Sequence, residues 1–157
     1  MLHVAIKAKK KNRRLPNMTG LNYLSRIEIL QKRCLKYFDR LPHLTPTNIL
    51  FGQYATRVLP VENMYQYEVC KLVFSMENNI CYHNMTFSRV THRFSTRNRG
   101  RLATPAIHTE IGRRNLAYIG PFLFNSLPDF IRNVSRFNSF KKRLEDYLLS
   151  LQQLTPL

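Results

Sequence analysis

Residues 86–114 carry seven basic groups, Arg89, Arg93, Arg97, Arg99, Arg101, Arg113 and Arg114, against the single acid Glu110. A guanidinium is planar, permanently charged and presents a fork of donors that matches two phosphate oxygens at once. Phe87, His92, Phe94 and His108 lie among these arginines and offer rings on which bases could stack. Lys141 and Lys142 add a second basic group towards the C-terminus. The chemistry implied is electrostatic capture of RNA or DNA phosphates, which supplies affinity without base readout. The competing reading is a solvated loop whose arginines cap carbonyls and whose aromatics belong to the core.

Other chemistries find less material. The only aspartates are Asp39, Asp129 and Asp146, and the adjacent pair Glu145-Asp146 points its side chains apart on a helix. Two-metal phosphoryl transfer needs several carboxylates converging on ions about 3.5–4 Å apart, so this chain alone is expected to be no enzyme. Cys70, Cys81 and His83 invite zinc, but a structural site needs four ligands in closely spaced pairs, and Cys34 and Cys70 have no near mate. Ordinary thiols are the expectation, with no metal and no cofactor. The five glycines form neither a phosphate-binding loop nor a Gly-x-Ser-x-Gly elbow.

Positioning these groups falls to elements legible from periodicity. Residues 1–20 read as a disordered basic arm, in which Lys9, Lys10, Lys11, Arg13 and Arg14 have the composition of a nuclear-localisation signal, an unselected end being the alternative. Leu21, Leu24, Ile27, Leu30, Cys34, Leu35 and Phe38 recur at helical spacing and predict an amphipathic helix over 21–40. Pro42, Pro46, Gly52 and Pro60 confine the next segment to short pieces, including a turn from Thr47 to Phe51. A second helix over 60–77 carries the stripe Val61, Met64, Tyr65, Val69, Leu72, Val73 and Met76, with Tyr67 and Phe74 as further packing residues, and it should be the best buried. Residues 86–106 read as a loop, and Ile107, Thr109 and Ile111 alternate like a short strand. Gly120-Pro121 predicts a kinked or two-part helix around Leu116, Ile119 and Leu123. Pro128 opens a short helix through Phe130 and Ile131, and a final helix over 139–151, capped by Asn138 or Ser139, leaves a tail at 153–157.

Several ordered segments carry a family resemblance. Ile29-Leu30-Gln31-Lys32-Arg33-Cys34-Leu35-Lys36, Thr96-Arg97-Asn98, the run Gly120-Pro121-Phe122-Leu123-Phe124-Asn125-Ser126-Leu127-Pro128, and Phe140-Lys141-Lys142-Arg143-Leu144 with Tyr147-Leu148-Leu149 follow one another. In that order they resemble the extreme C-terminal segment of reverse transcriptases of jockey-like non-LTR retrotransposons, over about residues 21–151. The family commonly has tryptophan where Phe124 stands, and this chain has no Trp. The resemblance implies a C-terminal module of an RNA-directed DNA polymerase without the paired-aspartate palm, whose partners are nucleic acid and a polymerase body.

Charge agrees with a polyanionic partner. The 157 residues carry 25 Lys+Arg against 9 Asp+Glu, a formal net charge of +16, which costs self-repulsion unless screened. The excess is segmental, because Arg57 and Lys71 face Glu62, Glu68 and Glu77 within 41–85. Three irregularly spaced cysteines do not resemble a secreted disulfide framework, and no apolar run or leader suggests a membrane or export. An intracellular location is expected, the nucleus before the cytoplasm. The expected fold is mainly α: a small helical domain over 21–152 with, at most, a short β-hairpin, anchored by Phe124, Leu127, Phe130 and Phe140. The expected role is a noncatalytic nucleic-acid-binding module, the alternative being a structural or protein-interaction extension, including a nonfunctional relic.

Overall fold

The computed structural model describes residues 22–46, 49–51, 58–81, 85–91 and 100–154. The basic arm, Thr47 and Asn48 therefore lie outside the described residues. The chain is mainly helical, with α1 Asn22–Phe38, α2 Val61–Glu77, α3 Glu110–Arg113, α4 Leu116–Ser126, α5 Asp129–Arg132 and α6 Phe137–Leu154. Residues 49–51 are helical, and the Leu50 N–H donates to the Pro46 carbonyl at 3.2 Å. Among the described residues β pairing is limited to one antiparallel bridge between Arg89 and Leu102. It is flanked by bonds from Val90 N–H to Arg101 O (2.8 Å) and Ala103 N–H to Ser88 O (2.7 Å).

Helix α2 is the hub, packing against α1, α4 and α6. Val69, Cys70, Val73 and Phe74 meet Ile119, Leu123 and Phe124 of α4, Ile131 of α5, and Phe140, Leu144 and Leu148 of α6, with Leu102 and Leu127 closing the core. The Phe74 and Phe140 rings stack 4.2 Å apart, and Phe124 sits 6.1 Å from Phe140. The predicted stripe of α2 is rotated in part: Met64 and Leu72 are exposed, whereas Cys70 and Phe74 are buried. Helices α4 and α6 both pack on this side of α2, so its buried face is centred on 69, 70, 73 and 74 rather than on one narrow seam.

Helix α4 is continuous through Pro121, so of the kinked or two-part helix expected from the sequence the two-part form is corrected. Gly120 and Pro121 are both buried, and a Cβ at Gly120 would stand 2.9 Å from the Val73 Cγ2 methyl. That close approach to α2 offsets the backbone bond that proline cannot donate.

Four further expectations are corrected. Phe130 is 60% exposed, because in the one-turn α5 it is Ile131 that points inward while Phe124, Leu127 and Phe140 do anchor the core. Ile107, Thr109 and Ile111 form no strand. Thr109 instead caps α3, its Oγ1 accepting the Gly112 N–H at 3.2 Å, with Glu110 favourable in the first turn. Helix α6 begins at Phe137, so Asn138 and Ser139 lie inside it, and it extends to Leu154 into the predicted tail. Finally, the apolar stripe of α1 is mostly uncovered by described residues. Ile27, Leu30, Cys34 and Phe38 are exposed, and Leu35 alone enters a satellite cluster with Leu50 and Phe51.

Candidate nucleic-acid interface

The bridge between Arg89 and Leu102 brings Arg89 and Arg101 beside α5, where Arg132 joins them. These three arginines, with Gly100, Asn125, Asp129 and Asn133, line a cleft of about 390 Å³ whose floor includes Leu102 and Phe124. Gly100 has φ +78, a left-handed turn that glycine adopts without Cβ strain. Its carbonyl accepts from Arg89 Nη1 at 3.1 Å and its N–H donates to Val90 O at 3.2 Å.

Asn125 fixes this segment to α4. Its Oδ1 accepts the Leu102 N–H at 3.0 Å and its Nδ2 donates to the Leu102 carbonyl at 2.7 Å. One side-chain amide thus satisfies both backbone groups of a buried residue, as a neighbouring strand would. Within the same run, Leu127 is buried and Pro128 opens α5. The Asn125-Ser126-Leu127-Pro128 group therefore holds the helical core and the cationic segment together.

The three guanidiniums are differently employed. Arg89 Nη2 pairs with Glu77 Oε2 at 2.7 Å, a carboxylate that is itself largely buried at the end of α2. Arg132 pairs with Asp129 in the same turn, yet its Nε is buried and has no hydrogen-bond partner among the described residues. Burial, followed by the neighbouring charges of Arg101 and Arg89, pushes the Arg132 guanidinium below its ordinary range. The Arg101 side chain has no ion pair or hydrogen bond to a described residue. Three guanidiniums facing two carboxylates leave one positive charge in excess, the charge that one phosphodiester would neutralise. Such an anion would also bring the acceptors that Arg101 lacks.

Of the residues expected to meet phosphate, Arg89 and Arg101 converge here, and Arg93, Arg97 and Arg99 lie outside the described residues. Arg113 and Arg114 are exposed around α3 and do not line the cleft, and Arg113 Nε donates to Ile107 O at 3.2 Å. Lys141 rests 5.0 Å above the Phe137 ring, and Lys142 is exposed on α6. Lys9, Lys10, Lys11, Arg13 and Arg14, in the N-terminal arm, lie outside the described residues. Phe87 is half-buried against the core and is therefore a packing residue, His108 is exposed, and His92 and Phe94 are not described.

Arg132, Glu77 and Asn125 are the residues that sequence reasoning missed. The Asp129-Arg132 spacing is a readable helix pair, but its convergence with Arg89 and Arg101 depends on tertiary contacts. The thiols find other roles: Cys70 is fully buried, which pushes its pKa up to about 12, while Cys34 is exposed. No three His, Cys, Asp or Glu side chains gather as a metal site among the described residues. Asp39 follows α1, Asp129 starts α5 and Asp146 lies on α6. No helix among the described residues is long and apolar enough to cross a membrane.

The architecture is that of a small, mainly helical protein with an arginine-lined cleft on a helical core. No protein-family model, curated protein or solved structure matches this chain.

Proposed function

We propose that the chain is a noncatalytic nucleic-acid-binding module, derived from the C-terminal segment of a non-LTR reverse transcriptase and contacting RNA or DNA phosphates. The observation that carries this reading is the convergence of Arg89, Arg101 and Arg132 on one polar cleft, with Arg101 left without a counter-ion among the described residues. The net charge of +16 supports it by favouring approach to any polyanion. The ordered segments from Ile29 to Leu149 are the basis for the proposed ancestry. A nuclear location would follow from the same role.

The test is fluorescence anisotropy of labelled single-stranded RNA and duplex DNA with the full chain. Binding that weakens steeply between 50 and 200 mM salt is expected, by a factor of ten or more, roughly, when several phosphates are contacted. Absence of binding at 50 mM salt, or affinity indifferent to salt, refutes the proposal.

A protein-interaction role has one observation in its favour. Ile27, Ile29 and Leu30 of α1 are about half exposed, and such a face suits a polymerase body packed alongside.

A further inference from the structure

The end of α1 carries an arrangement that the cleft does not use. Tyr37 and Phe38 are 83% and 78% exposed, and their rings meet edge to face at 6.4 Å. Together with Arg33, Lys36, Arg40 and His43 they line an open groove of about 660 Å³. Two neighbouring aromatics this far out of the core contribute little to folding, and ringing them with cations discourages an apolar protein contact. Unpaired nucleobases have the matching chemistry, a flat π-face for the ring and phosphates for the cations on either side.

The backbone supplies a second, independent observation. The helix ends in a turn closed by Leu41 N–H to Lys36 O (2.9 Å) and Arg40 N–H to Tyr37 O (3.2 Å), with Arg40 at φ +53. This left-handed position favours glycine or asparagine. Helix α2 ends in the same turn, with Ile80 N–H to Ser75 O at 2.9 Å and Asn79 N–H to Met76 O at 3.2 Å, and there the left-handed residue is Asn79 at φ +50. Arginine in the corresponding place strains the backbone while delivering a guanidinium to the groove, and such strain is characteristic of binding sites. Lys36 Nζ donates to the His43 carbonyl at 2.6 Å, which ties the far wall of the groove to the helix.

We propose that this groove is a stacking subsite for an unpaired base of single-stranded nucleic acid, with Tyr37 or Phe38 under the base and Arg33 and Arg40 on its flanking phosphates. It rests on the nucleic-acid reading above and adds to it a preference for single strands over duplex. Duplex DNA keeps its bases paired and stacked, so it can offer this groove only phosphate.

Three labelled probes of equal length test it against the full chain: a single-stranded oligothymidine, the same backbone with abasic sites throughout, and a blunt duplex. Wild type should bind the base-bearing strand about tenfold more tightly than the abasic one. The Tyr37→Ala/Phe38→Ala variant should lose that discrimination and keep its abasic-strand affinity within about twofold. Arg40→Gly keeps the turn and should lower the salt slope for single strands by about 0.7 without lowering the melting temperature. Equal binding of base-bearing and abasic strands by wild type overturns the subsite but leaves phosphate binding standing. So does equal loss on both strands in the aromatic variant, or self-association abolished by that variant with strand affinity unchanged. Failure of wild type to bind any probe instead removes the nucleic-acid reading itself.

Discussion

Replacing Asn125 by alanine should destabilise the protein by about 2–4 kcal/mol and do so by releasing the Arg101 segment from α4. The side-chain amide makes two bonds, at 3.0 and 2.7 Å, to the N–H and carbonyl of Leu102, a residue only 3% exposed. Each such bond contributes about 0.5–1.5 kcal/mol net, and each backbone group left buried without a partner costs about 1–3 kcal/mol. Relaxation that lets water reach one of the two groups keeps the sum towards the lower end of that span. Urea unfolding followed by far-ultraviolet circular dichroism measures the difference in midpoint at constant slope. Asn125→Leu, which keeps the branched outline of the side chain but loses both bonds, should cost at least as much as alanine. A loss below about 0.5 kcal/mol in both variants, within the range of an ordinary surface substitution, would refute the reasoning.

Other consequences follow from the core. Gly120→Ala should lower stability by about 1 kcal/mol, since the strain of a Cβ placed 2.9 Å from Val73 outweighs the gain in helix propensity; chemical denaturation of the single variants and of Gly120→Ala/Val73→Ala should give a non-additive pair. Cys34 should be alkylated rapidly by iodoacetamide in the native protein while Cys70, buried with its thiol at about 12, should react only on unfolding, as mass spectrometry of digested samples would show. Arg40→Gly should raise stability by about 0.5–1 kcal/mol, because the left-handed position at φ +53 costs arginine more than glycine; thermal unfolding reads that gain.

The helices were legible wherever an apolar period met a partner helix. Helices α2 and α6 appear close to their predicted ranges because Val69, Val73, Phe140, Leu144 and Leu148 repeat at helical spacing and are buried. Periodicity alone did not tell which face of α1 is covered, for Ile27 and Leu30 have the right spacing and remain exposed. It also placed Phe130 in the core, since in a single turn no repeat distinguishes it from Ile131. Local side-chain bonds outweighed alternation at Thr109.

The candidate site was half legible. Composition pointed to Arg89 and Arg101, but Arg132 is distant in sequence and arrives through α5. The role of Asn125 depends on a bond spanning 23 residues, which local propensity does not anticipate. Tyr37 and Phe38 carried no signal beyond hydrophobicity, and only their exposure beside Arg40 marks them as a surface feature.

The salt dependence of binding by wild type and Arg101→Gln tests the central claim most directly. Arg101 has no ion pair among the described residues and its neighbours repel it, so the substitution should leave the melting temperature unchanged or higher. If Arg101 meets phosphate, the slope of log affinity against log salt should fall by about 0.7 on single strands and about 0.9 on duplex. An unchanged slope and an unchanged affinity in a folded Arg101→Gln protein would contradict the assignment of the cleft.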